Sequence, residues 1–291
     1  MATGTDENWS IRRLLQWATE DFQRRGFESP RLESELLLGL ALGKSRIELI
    51  TQSEHLPNDT ELSQFRELLR RRRLQEPTAY LLGQREFYGL DMQVDRRVLI
   101  PRPDTETLVE VALQRSQHLY AHGHALDLCT GSGCVALAFA HRRSGWSVTG
   151  SDISLEALQV AESNALRLGK ILGMTWVQSD LFESLPQQKF DLITANPPYI
   201  PSAEVLRLEP TIREFEPRLA LDGGEDGLKF TRPIVERAPA WLQTGGTLAV
   251  EIGCDQGPVV EALFREVGFC DTLIHKDYGA RHRVVSGRWS A

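Results

Sequence analysis

Apolar positions along the chain follow two different rhythms. Up to about residue 84 they recur at helical spacing. From His124 onward they gather in short runs separated by amphipathic stretches. In the first region Ser10 precedes Ile11, Leu14, Leu15, Ala18 and Phe22, and Gly26 supplies a stop, which predicts a capped amphipathic helix. Ser29-Pro30 opens a second helix through Leu32, Leu36, Leu37 and Leu40 to Gly43, with proline tolerated in the first turn. Ser45 to Glu48 has the form of a capping box for a third, and Asn58 to Glu61 starts a fourth carrying Leu62, Phe65, Leu68 and Leu69. The fourth ends in Arg70-Arg71-Arg72-Arg73, which splay over all helix faces. This reads as a solvated end favoured by the helix dipole, with contact to an acidic partner or ribosomal RNA as the alternative.

After a short turn or helix at Glu76–Gly83, Glu86–Tyr88 and Met92–Val94 flank Gly89 as a predicted β-hairpin. Ile100-Pro101-Arg102-Pro103-Asp104 is a stiff connector. Asp104 suits the N-cap of a helix running through Leu108, Val111, Ala112 and Leu119. Predicted strands then fall at Ala125–Leu128, Ser147–Ser151, Met174–Gln178, Phe190–Ala195, Thr247–Glu251, Asp271–His275 and Arg283–Gly287. Helices are predicted at Val135–Arg142, Ser154–Leu168 and Pro258–Val267. Such alternation implies an α/β, doubly wound and mostly parallel sheet that binds ligands at the carboxyl ends of its strands. The expected division is a helical module over residues 1–84, hairpin and connector over 85–107, and the α/β domain over 108–291.

Composition narrows the function classes. Of 291 residues, 41% are hydrophobic and 25% charged, as in ordinary globular proteins. No apolar run is long enough to span a bilayer, and the N-terminal residues have neither a basic start nor an apolar core, so a cytoplasmic protein is expected. A net charge of −7 argues against bulk nucleic acid as the main substrate. The four cysteines lie at non-metal spacings and are expected to be buried free thiols, and no metal site is expected.

Candidate chemistry sits at the predicted strand ends. Asp127-Leu128-Cys129-Thr130-Gly131-Ser132-Gly133 joins the first strand of the alternating region to a helix, and its glycines let backbone N–H groups approach a ligand. Ala136 stands where the dinucleotide fingerprint needs its last glycine. The arrangement resembles instead the first motif of Rossmann-like S-adenosylmethionine-dependent methyltransferases. Asp152, nineteen positions after Gly133, is suited to accept hydrogen bonds from two ribose hydroxyls. Asp180 is suited to an adenine amino group, with Leu181 and Phe182 as walls for the base.

The fourth of these strands runs into Asn196-Pro197-Pro198-Tyr199, where consecutive prolines end the strand in a stiff loop. Methylating a planar nitrogen requires holding both of its N–H groups so that its lone pair can localise. The Asn196 side-chain carbonyl and the Pro197 backbone carbonyl are suited to that, and Tyr199 can pack on a flat group. By itself the loop does not separate a base from an amide.

Beyond these motifs the chain resembles release factor glutamine methyltransferases of the HemK/PrmC type. The resemblance lies in Glu76-Pro77 with Tyr80 and Gly83, Glu86–Tyr88, Ile100–Glu106, Asn196–Pro201, Arg213–Pro217, Ala220–Leu228, and Asp277–Gly279 with Arg283. It implies an N-terminal helical substrate-recognition domain joined by a hairpin to a seven-stranded catalytic sheet. It further implies methyl transfer from S-adenosylmethionine to the glutamine side chain of the Gly-Gly-Gln motif in class 1 release factors; nothing in the sequence requires more than a monomer. Carried over by position, Asp127, Leu128, Cys129, Thr130, Gly131, Gly133 and Asp152 bind the cofactor, and Asn196, Pro197, Pro198 and Tyr199 hold the amide. Cys129 stands where many relatives have glycine, and Leu181 where some have tryptophan against adenine. Arg102 and Glu106 either contact cofactor or substrate or lock the domains. The competing readings are a nucleic-acid adenine methyltransferase with the same loop and a non-catalytic cofactor-binding protein associated with the ribosome.

Overall fold

A computed structural model describes residues 9–119, 121–169 and 173–290. The N-terminal stretch Met1–Asn8, read above as carrying no leader, lies outside them. The chain divides into two compact units between Gly83 and Gln84.

The first unit contains α1 (Ile11–Arg24), α2 (Pro30–Leu42), α3 (Arg46–Thr51), α4 (Asp59–Arg73) and α5 (Thr78–Leu82). The capping signals work as the sequence indicates. Both reciprocal capping boxes form, Ser45 with Glu48 and Asn58 with Glu61, and Gly43 closes α2 in the left-handed conformation. Ile11, Leu15, Ala18 and Phe22 meet Leu37, Leu38, Leu49, Phe65 and Leu69 in a core of the unit's own. Each Leu or Phe so removed from water contributes roughly 1.5–3 kcal/mol.

The arginine run departs in part from the expectation of a solvated helix end: Arg70 is exposed, while Arg72 is buried and Arg73 partly so. Each arginine reaches a different carboxylate: Arg70 with Glu67 at 2.7 Å, Arg71 with Glu76 at 2.7 Å, Arg72 with Glu33 at 2.5 Å and Arg73 with Asp21 at 2.9 Å. Arg72 is buried, its guanidinium 3.9 Å from the Phe27 ring centroid. Adjacent positions point in different directions: Arg70 pairs within α4, while Arg71, Arg72 and Arg73 tie the helix end to its neighbours.

The second unit opens with the hairpin β1 (Gln84–Phe87) and β2 (Leu90–Gln93), followed by α6 (Glu106–Arg115). Then come β3 (His124–Leu128), α7 (Cys134–Arg142), β4 (Ser147–Asp152), α8 (Leu155–Arg167), β5 (Met174–Gln178) and β6 (Phe190–Ala195). The short helices α9 (Ser202–Val205) and α10 (Pro210–Arg213) precede α11 (Thr231–Arg237), β7 (Leu242–Glu251), α12 (Gly257–Val267), β8 (Cys270–Lys276) and β9 (His282–Arg288). The seven-stranded sheet has the order β5-β4-β3-β6-β7-β9-β8. Its first five strands are parallel, and β9 is antiparallel to both neighbours. One face packs on α11 and α12 through Ile234, Val235, Val260 and Phe264. The other packs on α6, α7 and α8 through Leu108, Val109, Leu137 and Ala165. Phe87, Leu90 and Met92 of the hairpin join that second layer.

Three expectations change here. Asp104 does not cap α6; a 3-10 turn at Pro103–Thr105 comes first, and Asp104 pairs with Arg283 at 3.0 Å. The same helix ends at Arg115, and a separate 3-10 turn holds Leu119. The cysteines are free but not fully buried: Cys254 is exposed, and Cys129, Cys134 and Cys270 are half-buried. The helix α11 is not among those predicted, and it contains Pro233. The proline falls in the first helical turn, where its missing N–H has no intrahelical partner to lose. Among the described residues, no helix is long and apolar enough to cross a membrane.

Candidate active site

The carboxyl ends of β3, β4 and β6, with the loop that follows β5, open onto a cavity of about 320 Å³. Its walls include Cys129, Thr130 and Gly131 after β3, Asp152 ending β4, Asp180 and Leu181 after β5, and Asn196 and Pro198 after β6. Thr105, Arg102, Pro217, Leu219 and Phe230 also line it, and Thr105 touches Asn196.

The turn after β3 is built on Asp127. Its buried carboxylate accepts from Thr130 Oγ1 at 2.6 Å and from Thr194 Oγ1 at 2.7 Å, which pins the turn to β6. Burial raises its pKa to about 6, against the downward pull of these hydroxyls and the Ala136 N–H. Cys129 has φ +56, a left-handed conformation favoured by glycine. Burial pushes the Cys129 thiol up as well, and that of Cys134 to about 12, so neither is poised as a nucleophile. Asp152 anchors the next strand end: Oδ2 accepts from the Gly131 N–H and Oδ1 from the Ser154 N–H, each at 2.9 Å. Burial raises its pKa too.

The Asn196 loop is clamped from several directions. Ile200 N–H donates to Leu221 O at 3.1 Å, Gly223 N–H to Ile200 O at 2.8 Å, and Gln256 Nε2 to Tyr199 O at 3.0 Å. A Cβ on Gly227 would stand 2.3 Å from Tyr199 O, and one on Gly223 2.8 Å from Pro198 O. Only glycine lets segment 221–228 run so close to the loop. Asn196 Nδ2 donates to Thr105 Oγ1 at 3.4 Å.

Not every expected residue faces the cavity. Phe182 does not wall it. Leu181 has φ +48, and the kink turns Leu181 towards the cavity and sends Phe182 into the core, stacked on Trp241 at 5.6 Å. The Leu128 side chain is in the same core, and Gly133 packs against Ala161 and Trp176 behind the turn. Pro197 is buried, and the Tyr199 hydroxyl points down to Glu251 Oε1 at 3.4 Å. The two residues left open between contact and locking also separate. Glu106 Oε1 accepts from the Tyr88 N–H at 3.0 Å and holds the hairpin. Arg102 lines the cavity while pairing with the buried Glu216, whose other oxygen accepts from the Ile100 N–H at 3.1 Å.

Sequence reasoning singled out neither Thr105 nor Glu251. The signal for Glu251 was a carboxylate closing the apolar run Leu248-Ala249-Val250.

The chain matches the PrmC N-terminal domain over residues 13–83 and the methyltransferase small domain over residues 104–209. It is 45% identical over 286 residues to a release factor glutamine methyltransferase of Geobacter sulfurreducens, covering 98% of this chain and 99% of that one. It is 40% identical over 289 residues to one of Rhodopirellula baltica, covering 98% of each. Among solved structures, a methyltransferase from Pyrococcus furiosus shares the fold at a TM-score of 0.52 and 18% identity, over 70% of this chain and 91% of that one. The chain belongs to the release factor glutamine methyltransferase family.

Proposed function

We propose that this chain transfers a methyl group from S-adenosylmethionine to the side-chain amide nitrogen of the glutamine in the Gly-Gly-Gln motif of class 1 peptide chain release factors. The observation that carries the reading is a carboxamide, Asn196, clamped at the wall of a cavity that also holds two carboxylates, Asp152 and Asp180, in a chain of this family.

The donor set fits the cofactor. Asp152 offers a carboxylate to vicinal hydroxyls, Asp180 an acceptor to an amino group, and Ile153 and Leu181 apolar walls to a base. The backbone from Cys129 to Gly131 approaches closely in left-handed conformations. When bound, the cofactor supplies an electrophilic methyl on a sulfonium. Asn196 Oδ1 and the Pro197 carbonyl accept the two amide N–H groups of the glutamine, favour its pyramidal geometry and aim its lone pair. The amide proton becomes acidic as the carbon–nitrogen bond forms and leaves without a dedicated strong base. Tyr199 acts from beneath the loop rather than by packing on the substrate.

In this reading residues 1–84 recognise the protein substrate, residues 85–107 connect, and residues 108–291 catalyse. The enzyme works as a monomer in the cytoplasm. Incubation with methyl-labelled cofactor and either purified release factor or DNA tests it. Label in the release factor is expected, and label in DNA alone would overturn the assignment.

A further inference from the structure

Two cations line the cavity, Arg102 and Lys229, and no step above uses either. Arg102 lies in the stiff connector between Pro101 and Pro103, and its carbonyl accepts from the Thr105 N–H at 3.1 Å. Thr105 Oγ1 in turn accepts from Asn196 Nδ2 at 3.4 Å, so the turn that begins at Arg102 stands against the working carboxamide. Buried Glu216 fixes the guanidinium on one side: Oε1 accepts from Arg102 Nη2, and Oε2 from the Ile100 N–H at 3.1 Å. The Arg102 side chain nevertheless keeps 35% of its surface open, and its Nε and Nη1 hydrogens have no partner among the described residues. A guanidinium carries its N–H donors in a rigid fork, and a single ion pair does not occupy them all.

We propose that Arg102 receives the α-carboxylate of the amino-acid tail of S-adenosylmethionine, with Glu216 as the residue that positions its guanidinium. The inference rests on the cofactor reading given above. That reading leaves the tail unaccounted for: Asp152, Asp180 and Leu181 serve the ribose and the base, and Asn196 serves the acceptor nitrogen. For transfer the sulfonium has to stand beside Asn196, and the carboxylate is joined to the sulfur by a short saturated chain. This keeps it in the same part of the cavity as the Arg102 turn. The cavity wall already carries the carboxylates Asp127, Asp152 and Asp180, so a further negative charge entering it needs a cation to offset repulsion and lost hydration. A planar fork with open N–H groups suits a carboxylate, which it can meet with two parallel hydrogen bonds.

Lys229, the other cation of the wall, is less suited. It is exposed, its ammonium lies 5.1 Å from the Phe230 ring centroid, and its stem passes over Gly224, where a Cβ would stand 2.9 Å from Lys229 Cβ. A flexible, strongly hydrated ammonium also gives up more on being fixed than a guanidinium already held by a buried carboxylate. A purely locking role for Arg102 would use the Glu216 bond alone. It gives no reason for the side chain to line the cavity with its remaining donors open.

The test is calorimetry with two nucleosides, S-adenosylhomocysteine and its decarboxylated form, which keeps the amine and lacks only the carboxyl group. The wild type is expected to bind the first about tenfold to a hundredfold more tightly, the usual worth of hydrogen bonds to a charged group. In Arg102→Gln the two are expected to bind alike, with the affinity for the decarboxylated form unchanged, and Arg102→Lys is expected to recover part of the preference. Arg102→Gln leaves Glu216 buried and unpaired; the double variant Arg102→Gln/Glu216→Gln removes that charge and decides the matter if the single variant does not fold. Lys229→Gln is expected to keep the wild-type preference. A wild type that binds both nucleosides alike, a preference that survives without Arg102 or disappears with Lys229, or an equal loss of both nucleosides on removing Arg102 overturns the proposal. A wild type that binds neither nucleoside removes the cofactor reading itself.

Discussion

Two strand ends in the same sheet carry buried carboxylates, and they are finished differently. Asp127, next to last in β3, meets the hydroxyls of Thr130 and Thr194 at 2.6 and 2.7 Å, so both oxygens are satisfied and the turn after the strand is fixed. Glu251, ending β7, has one long bond from Tyr199 and one oxygen without a well-placed donor. Both pKa values are raised by burial, to about 6 and about 7. Burial alone therefore does not identify a working group; what separates the two is how completely each carboxylate is answered. A closed network holds a shape, while an open one leaves a buried oxygen unanswered.

The largest effect that would sharpen this contrast lies at Asn196. Asn196→Ala is expected to lower kcat by roughly a hundredfold to a thousandfold, the usual cost of removing one preorganised polar contact. Cofactor affinity is expected to stay unchanged by calorimetry, and full turnover in the variant would detach the loop from the reaction. Next, Asp152→Ala is expected to weaken cofactor binding by about 1–3 kcal/mol, the cost of losing charge-assisted hydrogen bonds. An unchanged dissociation constant would remove the ribose assignment.

Asp127→Asn places an NH2 group against a hydroxyl donor, and is expected to cost about 1–3 kcal/mol of stability in denaturant unfolding. No loss would show that the closed network does not hold the turn. The smallest expected effect has the opposite sign. The folded-state pKa of Glu251 lies above its ordinary value of 4.5, so the folded form holds the proton more tightly, and stability falls as pH rises from about 4.5 through about 7. Glu251→Gln removes that titration and is expected to raise the melting temperature at pH 8 relative to wild type, by roughly 1 kcal/mol in stability, with the gain vanishing near pH 4.5. A variant less stable at pH 8 than at pH 4.5, relative to wild type, would contradict the burial argument.

Much of this was legible in the chain itself. Capping boxes at Ser45 and Asn58 are local chemistry and appear as the residues dictate. The parallel strands were readable because they are apolar runs stopped by glycine, aspartate or proline. Asn196 was conspicuous because two prolines leave a carboxamide nowhere to relax. What escaped depends on long-range placement. Nothing near Phe182 shows that the positive φ of Leu181 reverses the order of wall and core. The four arginines find partners up to 52 positions away, as Arg73 does in Asp21. Glu251 and Thr105 lie 146 positions apart, and only the sheet order brings β7 beside the loop after β6.

The central claim is that the clamped carboxamide serves a glutamine side chain in a protein. Mass spectrometry of the tryptic release-factor peptide containing Gly-Gly-Gln, before and after incubation with enzyme and S-adenosylmethionine, tests it most directly. The account predicts one added methyl group, localised by fragmentation to the glutamine side chain and absent with Asn196→Ala. An unmodified peptide, or a methyl group on any other residue, would contradict it.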